Sequence, residues 1–94
     1  MIRQQEEDVL SDDQWDRLQR RLRLPQRQYQ VIRLLFKGYR DKEIAYSLNI
    51  AHPTVRSHLR RLYTKFSVQD RTELVLHIMR DFIIQPQSRY LDDR

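Results

Sequence analysis

Apolar positions recur along this chain at intervals of three and four residues, and no segment alternates at period two for long. That pattern predicts helices throughout and an all-α fold. Trp15, Leu18 and Leu22 make one apolar stripe, so the first helix is expected over about 12–22. Ser11-Asp12-Asp13-Gln14 precedes it as a capping box, in which Ser and Gln each satisfy a backbone N–H of the other's residue. Leu10 and Trp15 stand at the spacing of a hydrophobic staple across that cap. Pro25 interrupts the stripe, because the residue before a proline is pushed out of the helical region. A second helix is expected over about 26–37, with Tyr29, Ile32, Leu35 and Phe36 inward. Gly38, the single glycine, follows it where a helix C-cap needs positive φ.

A short third helix follows over about 41–48, with Asp41 as its cap and Ile44, Ala45 and Leu48 inward. Asn49 fits a left-handed turn position, which Asn tolerates at little cost. Pro53 opens a fourth helix, expected over 53–66, in the first turn where its missing N–H does no harm. With about 100° per residue, Val55, Leu59, Leu62 and Phe66 fall within about 60° of one another, a core stripe. Arg56, Ser57, Arg60, Arg61 and Thr64 lie on the far side, between roughly 100° and 240°. Asp70 caps a last helix over about 71–83, rich in Leu74, Val75, Ile78, Met79, Phe82 and Ile83. The chain therefore divides into an N-terminal extension with a short helix (1–23), a helical domain (24–84) and a polar tail expected to be flexible (85–94).

Charge changes this picture, because it is unevenly placed. Residues 1–24 and 67–94 each carry a net −1, whereas 25–66 carry +7, for a total of +5. From Ile44 to Gln69 there is no acidic residue. A solvated face normally mixes signs, so this concentration favours a polyanionic partner. The chain has 94 residues and no cysteine, which limits it to one small domain and excludes a disulfide framework or a Cys-based zinc site. His52, His58 and His77 share no metal-ligand spacing, and no local motif supports nucleophilic chemistry. We expect no metal, no cofactor and no enzymatic activity. No apolar run could cross a bilayer, and acids interrupt residues 1–30 where a signal peptide would be apolar, so a cytoplasmic protein without membrane contact is expected.

A short helix, a tight turn and a longer basic helix form the pattern of a helix-turn-helix. The major groove of DNA admits one helix, and its guanines present two acceptors that match an Arg fork. Arg56 and Arg60, four apart on the basic edge, are the candidate base-reading residues, with Ser57 between them small enough to allow close approach. Thr54 at the helix start could donate to a phosphate. Arg61 and Lys65 are candidate phosphate contacts. Arg33, Lys37 and Arg40 read as solvated surface, and Tyr63 as packing.

The stretch LPQRQYQVIRLLFKGYRDKEIAYSLNIAHPTVRSHLRRLYTKFSVQDRTELVL resembles the DNA-binding domain of LuxR-type regulators, the GerE or FixJ family, over about 24–82. The likeness rests on Leu24, Arg27, Val31, Leu34-Leu35 and Gly38, then on Lys42-Glu43-Ile44-Ala45, Leu48 and Ile50. It continues through Thr54-Val55-Arg56, His58-Leu59, Lys65, Val68 and Arg71-Thr72-Glu73-Leu74-Val75. The resemblance implies a four-helix helix-turn-helix domain, here with one extra N-terminal helix, that binds double-stranded DNA as a homodimer and regulates transcription. It implies base contacts from Arg56, Ser57 and Arg60, backbone contacts from Lys42 and Thr54, and a dimer interface on the last helix, where Leu76, Met79 and Ile83 supply the apolar excess. The sequence departs from the family pattern at Pro25, Gln28, Ala51 and Ser67, all near helix ends. The residues ahead of the domain are too few for a sensor. A second reading is a protein-interaction module that binds a full-length regulator or RNA polymerase through the last helix and the Trp15-bearing helix. A third, a fragment of a polymerase-specificity subunit, is disfavoured by the Thr54-Val55-Arg56 and Arg71-to-Val75 pieces.

Overall fold

A computed structural model describes residues 9–84. Five α-helices follow in order: α1 (Asp12–Leu22), α2 (Gln26–Phe36), α3 (Asp41–Leu48), α4 (His52–Phe66) and α5 (Arg71–Ile78), with a π-helical turn over Met79–Ile83. Among the described residues there is no strand. The helices start as local chemistry dictates. Ser11 Oγ accepts from the Gln14 N–H at 3.2 Å and Gln14 Oε1 accepts from the Ser11 N–H at 2.8 Å, so the capping box at α1 is complete. Asp70 Oδ1 accepts from the Glu73 N–H at 2.9 Å, and Glu73 Oε1 from the Gln69 N–H at 2.7 Å. Ala51 caps α4 without a side-chain bond, and Pro53 removes one donor that would otherwise need a partner there.

Asp41 is not the cap of α3. That position is Arg40, whose N–H donates to Glu43 Oε1 at 2.7 Å, and Asp41 lies one residue inside the helix. Its carboxylate is thereby free to take a more distant partner, the guanidinium of Arg71.

The four turns between helices share one device. Arg23, Gly38, Asn49 and Ser67 take left-handed backbone conformations, with φ of 56°, 87°, 57° and 57°. The next residue then folds back: the N–H groups of Leu24, Tyr39, Ile50 and Val68 donate to Gln19, Leu34, Ala45 and Tyr63 carbonyls at 2.9–3.1 Å. These bonds satisfy carbonyls that the helix ends leave open. They also aim four apolar side chains inward: Leu24 is buried, and Tyr39, Ile50 and Val68 pack against the core.

That core draws on every helix. Trp15, Val31, Ile32, Ile44, Val55, Leu62, Leu74 and Ile78 are fully enclosed, and no polar side chain is buried with them among the described residues. Trp15 joins α1 to this shared core, with its ring edge-on to Phe36 at 5.3 Å and to Tyr29 at 6.5 Å. Arg33 stands over the Trp15 ring at 5.4 Å and pairs with Asp12 at 3.1 Å, so it is a strap between α1 and α2 rather than solvated surface. Tyr29 Oη donates to Asp16 at 3.1 Å along the same seam.

The last helix changes register at its end. The Ile84 N–H donates to the Met79 carbonyl at 2.8 Å, five residues back, which closes a π turn. Phe82 meets Phe66 and His77 edge-on, and Arg21 of α1 stands over its ring at 5.3 Å. Ile83 lines a groove with Leu10, Gln14, Leu18 and Phe82.

Candidate nucleic-acid interface

α3 and α4, joined through Asn49, Ile50 and Ala51, form the helix-turn-helix, and Val55, Leu59 and Leu62 fix α4 to the core. The opposite face of α4 is left to solvent. Thr54, Arg56, Arg60, Arg61, Thr64 and Lys65 are exposed, and Ser57 is half-buried among them. Among the described residues, Arg56, Arg60 and Arg61 have no carboxylate or hydrogen-bond partner. Lys42, on the first turn of α3, is likewise exposed and unpaired.

Asp41 shares a shallow hollow with Arg56, Leu59, Arg60 and Tyr63, where it could neutralise the two arginines. Instead it is bound by Arg71, the first residue of α5, whose other nitrogen donates to the Tyr39 carbonyl at 3.2 Å. His52 Nε2 lies 3.8 Å from the second Asp41 oxygen. Arg71 thus ties α5 to the start of α3 and leaves Arg56 and Arg60 uncompensated. Sequence reasoning missed this role, because the partners are 30 residues apart. The one available signal was a basic residue directly after the Asp70 cap.

Lys65 occupies the other edge of α4. Its ammonium donates to the Arg23 carbonyl at 3.3 Å, at the end of α1. His58 sits on the same edge, its Nδ1 buried without a hydrogen-bond partner. Burial first, then the charges of Arg61 and Arg27, hold its pKa below the ordinary histidine value. The half-buried ring sits there within reach of the Arg61 and Arg27 charges. Tyr63 is partly buried against the core, and burial raises its hydroxyl pKa.

On α5, Leu74 and Ile78 are buried while Leu76 remains 48 % exposed. Met79 is half-buried beside it, and Ile83 is partly covered in the groove over α1. Among the described residues no cluster of three or more His, Asp or Glu could hold a metal ion, and no helix is long and apolar enough to cross a membrane.

The described residues form an all-helical domain built around a helix-turn-helix, and comparison with known families places it. Residues 22–78 match the family of bacterial regulatory proteins, luxR family, and the chain belongs to it. Similar proteins include the HTH-type transcriptional regulator MalT of Klebsiella pneumoniae, 41 % identical over 54 residues, which are 57 % of this chain and 6 % of that protein. MalT of Vibrio cholerae is 38 % identical over 52 residues, 55 % of this chain and 6 % of that protein. MalT of Yersinia pestis is 38 % identical over 72 residues, 77 % of this chain and 8 % of that protein. The chain thus spans less than a tenth of the length of these relatives. No solved structure matches it.

Proposed function

We propose that this chain is a sequence-reading, double-stranded DNA-binding unit that regulates transcription, with α4 in the major groove and two copies paired through the outer face of α5. The observation that carries the reading is the exposed face of α4, where Arg56, Arg60 and Arg61 have no counter-ion among the described residues and Asp41, beside Arg56 and Arg60, is taken by Arg71. Arg56, Ser57 and Arg60 meet base edges; an Arg fork matches the O6 and N7 acceptors of guanine. Lys42, Thr54 and Arg61 hold phosphates, and so does Lys65, which gives one of its three donors to Arg23 and keeps two. Leu76 and Met79 supply the pairing surface, with half-sites about one helical turn apart. Such a unit acts in the cytoplasm of a bacterium, where the DNA lies.

The competing reading, a protein-interaction module, rests on the apolar excess of the last helix together with the Trp15-bearing helix; Leu76 stays exposed there, while Trp15 itself is enclosed in this chain's own core. Selection from random-sequence duplex DNA tests the proposal. Enrichment of a two-fold-symmetric site supports a dimeric reader; retention of DNA with no enriched sequence refutes base reading.

A further inference from the structure

We propose that the junction of α1 and α2, through Arg23 and Arg27, forms a second phosphate-binding flank beside α4, gripping the same duplex outside the recognition helix. The inference rests on the reading of α4 as a major-groove helix.

The two edges of α4 meet different neighbours. Arg56 and Arg60 share a hollow with Asp41, so the first turn of α3, with exposed Lys42, runs along one edge. Lys65 and His58 lie about 180° around the helix from Arg56 and Arg60. There Lys65 reaches the Arg23 carbonyl, and Arg27 and Arg61 both impose their charge on His58. Arg23, Arg27, Arg61 and Lys65 therefore gather on the edge opposite Lys42.

A helix with its side chains is roughly 10–12 Å across and fills a major groove about 12 Å wide, so a phosphate row runs along each of its edges. Lys42 faces one row, and the α1–α2 junction faces the other.

Among the described residues no carboxylate pairs with that second edge. The sequence has no acid from Arg17 to Arg40. Asp12 is held by Arg33, and Asp16 accepts from Tyr29, both on the α1–α2 seam. Among the described residues Arg27 bonds only the neutral Gln30, at 3.0 Å, and no carboxylate pairs with it. The exposed Arg23 side chain has no hydrogen-bond or ion-pair partner among the described residues. Arg23 is also held at φ 56°, a conformation that disfavours a long L side chain.

The test is binding of a duplex to the full chain, followed by fluorescence anisotropy from about 50 to about 200 mM salt. The duplex is one enriched from a random pool, or a mixed-sequence duplex if none is enriched. The variant is Arg23→Asn with Arg27→Gln, since Asn suits the left-handed turn and Gln retains a donor for Gln30. Removing two phosphate contacts should flatten the slope of log K against log salt by about 1.8. The variant should then lose roughly tenfold less affinity across that range, with unchanged preference for the enriched duplex over a scrambled one. Arg23→Lys with Arg27→Lys should restore the slope. A slope equal to that of the unaltered protein would overturn the proposal, as would a flattened slope that lysine does not restore. If no sequence is enriched, base reading by α4 fails, yet the slopes on mixed-sequence DNA still decide the flank.

Discussion

Trp15→Ala is the change that most directly weighs the N-terminal helix. The indole is wholly enclosed, lies edge-on to Phe36 and Tyr29, and carries the Arg33 guanidinium on its face. Truncating a buried Trp to Ala costs about 3–5 kcal/mol in transfer and cavity terms. Each edge-on ring adds about 0.5–1.5 kcal/mol, and the cation about 0.5–1 kcal/mol. The indole N–H has no partner, which returns part of that sum. Returning about 1–3 kcal/mol for that N–H leaves an expected loss of about 3.5–6 kcal/mol, from a domain whose total stability is roughly 5–10 kcal/mol. Urea unfolding followed by circular dichroism suits the assay, because Trp15 is the single tryptophan and fluorescence would vanish with it. The midpoint should fall at unchanged slope, and Tm by more than about 12 °C. Trp15→Phe, which keeps a ring and removes the unpaired N–H, should cost well under half as much. A loss below about 1 kcal/mol for Trp15→Ala would mean that α1 is an appendage and that this account of the core is wrong.

Other expectations follow from single contacts. Ser67→Gly should raise stability by roughly 0.5–1 kcal/mol in the same urea assay, because Ser67 holds a left-handed φ of 57° that glycine adopts freely. Asp41→Asn should cost about 1–2 kcal/mol by removing a charge-assisted bond to half-exposed Arg71, and Arg71→Met in that background should cost about a further 1 kcal/mol, from the bond to the Tyr39 carbonyl. His58 should make the fold acid-sensitive. Its folded pKa lies below the ordinary histidine value of about 6.5, so the unfolded chain takes the proton first; the stability is present above about pH 6.5 and is lost as pH falls below it. His58→Gln should flatten stability measured between about pH 7 and pH 5, and an unchanged profile would exclude this cause.

The sequence made local features legible and hid the distant ones. The Ser11–Gln14 box, the Asp70 cap, Gly38 and Asn49 were readable because each depends on residues within one turn of itself. Arg23 and Ser67 take the same left-handed conformation as Gly38 and Asn49, but no residue preference marks them. They were visible only once the shared turn was seen. The core stripe of α4 and its Arg-bearing face followed from helical spacing alone. The partner of Asp41 did not, since a carboxylate near a helix start reads as a cap until a guanidinium from α5 reaches it. Lys65 shows the same limit: spacing puts it at the edge of α4, while its long stem carries the ammonium to Arg23. The π turn at 79–83, which helical periodicity cannot foresee, ends the last α-helix at Ile78.

The central claim is that the exposed face of α4 reads bases and not phosphate alone. The measurement that tests it most directly is base preference at each position of the enriched site for Arg60→Ala beside Arg61→Ala, at one salt concentration. The account predicts that Arg60→Ala relaxes preference at one position per half-site by about 1–3 kcal/mol, whereas Arg61→Ala weakens all sequences alike. Uniform weakening by both variants would contradict it.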